Sequence, residues 1–143
     1  MERDFLTAEV MKTFESLNSE NILNRLNLSF KGENAILMLL NEYGGISTPG
    51  KLCERIDFTA ARLSAIIKSM ESKGLVEKIQ NPDDKRSTIV AMTAHGYEQF
   101  AHLREEIVMN TLTIIEKLGE EDVVEFLRII RKLIDISNQP ISE

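Results

Sequence analysis

Apolar residues recur at helical spacing over most of the chain. The first such stretch covers about residues 4–26, with a break or bend predicted at the polar letters NSEN, residues 18–21. Its apolar row consists of Leu6, Val10, Phe14 and Leu17. A second stretch, AILMLLNEYGG, is apolar enough to be buried, with Ser29 as its candidate N-cap and Gly44–Gly45 as its end. The N-terminal third is therefore predicted to be helical.

Two short helices with clear caps follow in the middle of the chain. Thr48 is a suitable N-cap, and Pro49 stands at the first helical position, where a missing N–H costs nothing. This helix is predicted to end near Ile56. Thr59 caps the next helix, which runs to the glycine after Lys73, the residue type best suited to a left-handed C′ position. Two capped helices separated by about three residues predict a helix-turn-helix.

The residues after Gly74 read as a β-hairpin. The segments LVEKIQ and STIVAM alternate or are β-branched, and the turn letters NPDD lie between them. A hairpin that directly follows a helix-turn-helix predicts a winged helix. Its wing is the loop Asn81–Arg86, which places two acids beside two bases.

The second helix of the helix-turn-helix has two distinct faces at 100° per residue. The face predicted to enter the core carries Leu63, Ile66, Ile67 and Met70. The opposite face carries Ala61, Ala65, Lys68 and Ser72, with Arg62, Ser64 and Ser69 on its flanks. Small side chains suit close approach to a major groove, where alanine can meet a thymine methyl group. The alternative is that alanine is simply a good helix former.

The C-terminal third predicts two more helices, one capped by Thr93 and ended by Gly119, and one over EEDVVEFLRIIRKLIDI. The longer helix has two apolar rows, made of Phe100, Leu103 and Ile107 and of Val108, Leu112 and Ile115. In the last helix, apolar residues are so frequent that little of its surface is predicted to be polar. Since one winged helix covers only one side, the first and last helices are predicted to pack against a second copy of the chain.

Composition and charge narrow the class of protein. The 143 residues suit a single domain, and the formal net charge is −6. Residues 51–90 nevertheless hold eight Lys or Arg against six Asp or Glu, so the centre is the part least repelled by a polyanion. No run of about 18 apolar residues and no signal-peptide layout occurs, which predicts a cytoplasmic protein without a membrane partner.

Candidate chemistry is sparse. The single cysteine, Cys53, excludes an internal disulfide and reads as a small buried side chain, with redox sensing as the alternative. His95 and His102 lie roughly 10 Å apart along one helix, too far for one zinc ion unless further ligands come from elsewhere. No phosphate loop or nucleophile with an assigned base is present. We expect neither an enzyme nor a cofactor.

The chain resembles the MarR (multiple antibiotic resistance regulator) family of bacterial transcription factors over nearly its whole length. The most specific matches are Lys73-Gly74-Leu75, Asp84-x-Arg86 and Thr93-x-x-Gly96. The resemblance implies a mainly α fold, with a β-hairpin wing on a winged helix of about residues 28–96. Residues of about 4–27 and 97–137 would be the dimerisation helices of this single domain.

The resemblance also implies what the protein does. A homodimer would bind double-stranded DNA at a pseudo-palindromic operator, with a recognition helix in each major groove and a wing in each flanking minor groove. It would act as a repressor, less often as an activator, and respond to an amphipathic or aromatic effector in an apolar crevice. The implied DNA-contacting residues are Thr59, Ala61, Arg62, Ser64, Ala65, Lys68, Asp84, Lys85 and Arg86.

Arg86 would enter the minor groove, and the Asp84 carboxylate would hold its guanidinium. Some positions depart from the family pattern: Ala65 and Ser69 stand where many members carry arginine, and Met92 and His95 where leucine and a lysine or other polar residue are common. The rival function is a winged helix that contacts protein and not DNA, which the overall acidity favours slightly. The two bases at the wing favour DNA.

Overall fold

The computed structural model describes residues 2–20, 22–28 and 31–140. Most of this part of the chain is helical, and a small antiparallel sheet accounts for the strands. The helices are α1 Glu2–Glu20, α2 Ile22–Arg25, α3 Glu33–Glu42, α4 Pro49–Arg55, α5 Ala60–Ser72, α6 Ala94–Leu118 and α7 Glu120–Ser137. The strands are β1 Ile46–Ser47, β2 Val76–Gln80 and β3 Thr88–Met92.

The N-terminal helix divides into α1 and α2 close to the predicted break at residues 18–21. The helix begins at Glu2, two residues before the predicted start. The predicted N-cap of the next helix, Ser29, lies outside the described residues. In its place Gly32, with φ 55°, precedes α3 and provides no side-chain cap. The first residue of α3, Glu33, is instead held by hydrogen bonds from Ser69 and Lys73.

Threonine caps define the helix-turn-helix as predicted. The hydroxyl oxygen of Thr48 accepts the backbone N–H of Lys51 at 3.3 Å, and Pro49 begins α4. The hydroxyl oxygen of Thr59 accepts the backbone N–H of Arg62 at 3.1 Å and begins α5. Each cap satisfies a backbone donor that has no partner within its helix.

The sheet has three strands in the order β1-β3-β2, one more than the predicted hairpin. Strand β2 pairs with β3 in the register Gln80↔Thr88, and β1 pairs with the other edge of β3 through Ile46↔Ala91. Sequence reasoning missed β1 because two residues are too short to show a period of two. The extra strand ties the end of α3 to the base of the wing.

The core lies within the winged helix and takes one face of each of its helices. Leu63, Ile67 and Met70 are buried as predicted, and Ile66 is half-buried against the same cluster. The remaining members come from α3, α4 and the sheet: Ile36, Leu37, Leu39, Leu40, Leu52, Leu75, Val76, Val90 and Met92. The helix that carries the candidate DNA-contacting residues is thus anchored along its whole inner face.

Helix α6 covers its two apolar rows to different extents. Phe100, Leu103 and Ile107 of the first row are half-buried. In the second row Ile115 is half-buried, whereas Val108 and Leu112 are each 48% exposed. Helix α7 is more amphipathic than predicted, because acidic and basic residues form one continuous side of it. No helix within the described ranges combines the length and the hydropathy of a membrane span.

Candidate nucleic-acid interface

The outer face of α5 is open to solvent. All six candidate contact residues of the recognition helix are exposed, namely Thr59, Ala61, Arg62, Ser64, Ala65 and Lys68. Three of them are alanine or serine, so the backbone of α5 can come close to a flat or grooved surface. The strip contains two cations and no acid, which suits a polyanionic partner.

Arg62 is positioned by an aromatic contact at the start of α5. Its guanidinium carbon lies 4.4 Å from the centroid of the Phe58 ring, within the range of a cation–π contact. Stacking on Phe58 restricts the side chain before any partner binds, so less conformational entropy remains to be lost.

The wing is a tight loop closed at its base by Asn81 and Ser87. The backbone N–H of Asn81 donates to the Ser87 carbonyl at 3.2 Å, and the Asn81 side-chain amide donates to the Ser87 hydroxyl at 2.9 Å. Residues 82–86 are exposed beyond this closure. Lys85 and Arg86 therefore project from a loop of defined shape.

Asp84 acts on Arg86 in a different way from the one expected. Its Oδ1 accepts the backbone N–H of Arg86 at 2.9 Å, which forms a local side-chain turn. Within the part of the chain that the structure describes, no ion pair joins Asp84 to the Arg86 guanidinium. The carboxylate thus shapes the loop and leaves the guanidinium available to a partner.

The Thr93-x-x-Gly96 motif joins the sheet to α6. The hydroxyl oxygen of Thr93 accepts the backbone N–H of Gly96 at 3.0 Å, and the hydroxyl donates to the Gly74 carbonyl. A Cβ atom on Gly96 would lie 2.2 Å from the Leu75 carbonyl oxygen, so only glycine fits. We call this junction of Gly74, Leu75, Thr93 and Gly96 the clasp. It sets how the end of α5, the sheet and α6 meet.

The C-terminal end of α5 is attached to the start of α3 by a carboxylate that sequence reasoning missed. Glu33 Oε1 accepts hydrogen bonds from the Lys73 ammonium at 2.8 Å and the Ser69 hydroxyl at 3.0 Å. The hydrogen bond from Lys73 is the main reason that the pKa of Glu33 lies below its ordinary value. The partners are 36 and 40 residues apart, and no local pattern links them.

A crevice of about 280 Å³ lies between the N-terminal segments and α6. Its lining is more polar than the expected apolar crevice, because four asparagine side chains and two charged ones outnumber the apolar ones. The lining residues are Asn24, Asn27, Lys31, Asn34, Leu103, Glu106, Ile107 and Asn110. The polarity was missed because these residues come from segments far apart in sequence.

The other candidate residues do not form a site. Cys53 is half-buried against the core, in agreement with the structural role expected for it. His95 Nδ1 lies 3.4 Å from Glu98 Oε2, and His102 is exposed farther along α6. Among the described residues, no group of three or more histidine, cysteine or acidic side chains could hold a metal ion.

Comparison with known proteins shows what the candidate interface is similar to. The model of the MarR family matches residues 33–87, from the start of α3 to the end of the wing. Over these residues the chain is similar to the MarR family. The match covers the helix-turn-helix, β2 and the wing, whose geometry carries the candidate interface.

Three known proteins are similar to the chain in sequence or in fold. The organic hydroperoxide resistance transcriptional regulator of Bacillus subtilis is 26% identical over 82% of this chain and 78% of its own length. The structure of an organohalide-sensing transcriptional regulator, RdhR, in its 2,4-dichlorophenol-bound form is 27% identical, with a TM-score of 0.61 over 94% and 80% of the two chains. A MarR family protein from Bacillus stearothermophilus shares the fold, with a TM-score of 0.70 at 19% identity over 97% and 99% of the two chains.

The Bacillus subtilis relative is a transcriptional regulator, and the MarR family model matches the segment that carries the candidate interface. The structure also shows the surroundings of Ala65 and Ser69, which depart from the MarR pattern. Ser69 is half-buried and donates to Glu33, so this position supports α5 from within. Ala65 is exposed and leaves a small side chain on the outer face of α5.

Proposed function

We propose that the chain is a ligand-responsive repressor that binds a pseudo-palindromic operator as a homodimer. The observation that carries the proposal is the outer face of α5, where small and basic side chains are exposed on a helix anchored along its inner face. Arg62 and Lys68 would contact phosphates or guanines, and Ala61 and Ala65 would lie against base edges. Lys85 and Arg86 of the wing would add minor-groove contacts.

The proposed dimer explains why the first and last helices expose so much apolar surface. In α1 the row of Leu6, Val10, Phe14 and Leu17 is between 43% and 54% exposed. In α7 Phe126, Leu133 and Ile136 are 56%, 44% and 62% exposed. Exposed apolar faces of this length are typical of an interface between subunits. A second copy would cover them and place two copies of α5 about 34 Å apart, one helical turn of DNA.

Light scattering tests the dimer directly. We expect a mass of twice 16.2 kDa at micromolar concentration, and a monomer for Phe14→Glu, which places a charge in the proposed interface. Glu15→Gln is the matched control, because Glu15 is also exposed on α1 but lies off the apolar row. A monomeric wild-type chain would refute the dimer.

The effector would bind in the crevice that contains Asn34 and Asn110. One relative is known in a 2,4-dichlorophenol-bound form, which supports a small-molecule effector for this chain too. The asparagine-rich lining of this crevice favours a ligand with several hydrogen-bonding groups over a purely apolar one. Binding there would change the spacing of the two α5 helices and release the operator.

Selection of bound fragments from random and genomic DNA tests the proposed function. We expect enrichment of a site with two related half-sites about ten base pairs apart, centre to centre. No enrichment, together with capture of a protein that loses binding on Arg62→Ala, would support the rival function of a winged helix that contacts protein.

A further inference from the structure

Two kinds of contact hold α5. Leu63, Ile67 and Met70 are each no more than 1% exposed and fix the helix against the core. At the C-terminal end, Ser69 and Lys73 both donate to a single oxygen of Glu33, which is the first residue of α3. A polar attachment of this kind resists sliding and rotation of the helix end in a way that apolar contacts do not, because hydrogen bonds are directional.

The same turn of α3 forms part of the crevice wall. Asn34, the residue after Glu33, lines the crevice, and so does Lys31, two residues before it. The hydrogen bond from the Asn34 backbone N–H to the Lys31 carbonyl, 3.2 Å long, makes this stretch one turn of structure. A displacement of the crevice wall would therefore move Glu33, and with it the end of α5.

We propose that Glu33 is a positioning residue for operator binding, which sets the tilt of α5 through Ser69 and Lys73 and couples α5 to the crevice beside it. The inference rests on the proposed DNA-binding function. Glu33 acts through α5 and is not assigned any contact with DNA.

Geometry makes this coupling effective. A helix of 13 residues is about 20 Å long, so a shift of about 1 Å at one end tilts it by roughly 3°. Lys68 precedes Ser69 directly and would move with it. In a dimer the displacement occurs at both half-sites, so the spacing between the two helices changes by twice the shift of one.

The ion pair with Lys73 can be removed without unfolding the protein. The side chains of Glu33 and Lys73 are 28% and 56% exposed, and pairs this close to solvent contribute little to stability. A loss of operator affinity on Glu33→Ala, which also removes both hydrogen bonds to the α5 end, would thus report on positioning. The matched control is Glu125→Ala, which removes the Glu125–Arg128 pair of α7, another exposed pair but one without contact with α5.

The experiment compares the affinity of each variant for the selected operator and for an unrelated duplex of equal length at one salt concentration. We expect Glu33→Ala to weaken operator binding about tenfold while binding to the unrelated duplex changes less than about twofold. Glu125→Ala should change neither affinity. The exchanged pair, Glu33→Lys with Lys73→Glu, should recover most of the operator affinity that Glu33→Lys alone loses.

A crevice-filling change tests the link to the crevice without an identified effector. Asn110→Phe should weaken operator binding in the wild-type background and have a smaller effect in the Glu33→Ala background, because the contacts of Glu33 with Ser69 and Lys73 are then already lost. Additive effects of the two changes would overturn the coupling of the crevice to α5.

The outcomes separate this inference from the proposed function. A wild-type protein that selects no DNA overturns both. A wild-type protein that binds its operator, together with a Glu33→Ala variant of unchanged operator preference, overturns only the positioning role. An equal loss in the Glu125→Ala control also overturns it, because the effect would then come from charge or stability in general.

Discussion

Replacing Gly96 by alanine should destabilise the protein, although alanine is normally the better helix residue. Gly96 is the third residue of α6 and is buried in the clasp. An added Cβ would lie 2.2 Å from the Leu75 carbonyl oxygen and 2.7 Å from Met92 Cγ. The methionine side chain can move aside, but the Leu75 carbonyl is fixed, because it accepts the Thr93 backbone N–H at 3.1 Å.

The expected size follows from two opposing effects. Alanine in place of glycine inside a helix gains about 1 kcal/mol. Overpacking against a fixed backbone atom costs about 3 kcal/mol, the upper part of the usual range, because the carbonyl must shift by about 1 Å to restore a normal contact. The net loss is about 2 kcal/mol, which lowers the melting temperature of a domain of this size by about 4–8 °C.

Gly50→Ala provides the matched control. Gly50 is the second residue of α4, and a Cβ there would meet no atom within 4 Å. This change should leave the melting temperature unchanged or raise it slightly. Thermal unfolding followed by far-UV circular dichroism measures both. All variants are compared at one protomer concentration, because the melting temperature of the proposed dimer would depend on concentration. If Gly96→Ala were as stable as Gly50→Ala, the clasp would not be a steric constraint.

Three further predictions concern DNA binding and pH. Arg86→Ala should weaken operator binding and reduce by about one the slope of log affinity against log salt concentration. Anisotropy titrations over a salt series measure both, and an unchanged slope would show that the wing is not part of the interface. Arg62→Ala combined with Lys68→Ala should abolish the operator footprint while the circular dichroism spectrum is kept, since both side chains are exposed; normal protection would exclude α5 as the reading element. The hydrogen bond from Lys73 lowers the pKa of Glu33 in the folded protein below its ordinary value of 4.5. The Glu33–Lys73 pair therefore stabilises the fold above pH 4.5, and this stabilisation is lost as the pH falls through the pKa of Glu33 in the folded state. Urea midpoints measured across this interval should therefore fall less for Lys73→Met than for the wild type.

Local chemistry explains how much of the fold could be predicted from the sequence. A threonine that caps a helix interacts with a backbone N–H three residues later, so Thr48, Thr59 and Thr93 mark three helix starts without any knowledge of the tertiary structure. Gly74, with φ 72°, ends α5 for an equally local reason. These four residues mark where α4, α5 and α6 begin and where α5 ends, and so they bound the helix-turn-helix and the hairpin that follows it.

Contacts between distant segments were beyond sequence reasoning. Strand β1 exists because Ile46 and Ser47 meet β3 more than forty residues later in the chain. The crevice and the Glu33 attachment of α5 depend on how α3, α5 and α6 pack together. A lone glutamate at the start of a helix reads as an ordinary favourable charge near the helix dipole, so nothing in the sequence directs attention to Lys73.

The residues that identify the family differ in kind from the residues proposed to read DNA. Gly74, Thr93 and Gly96 tolerate few replacements, because each satisfies a backbone conformation, a cap or a close approach within the clasp. Ala61 and Ala65 are exposed, so the fold places no comparable constraint on them. Changes in the clasp should therefore alter stability and operator binding together, whereas changes at the two alanines should alter operator sequence preference at constant stability. This separation explains how one winged-helix scaffold can serve different operators, since the reading residues can vary without disturbing the packing that presents them.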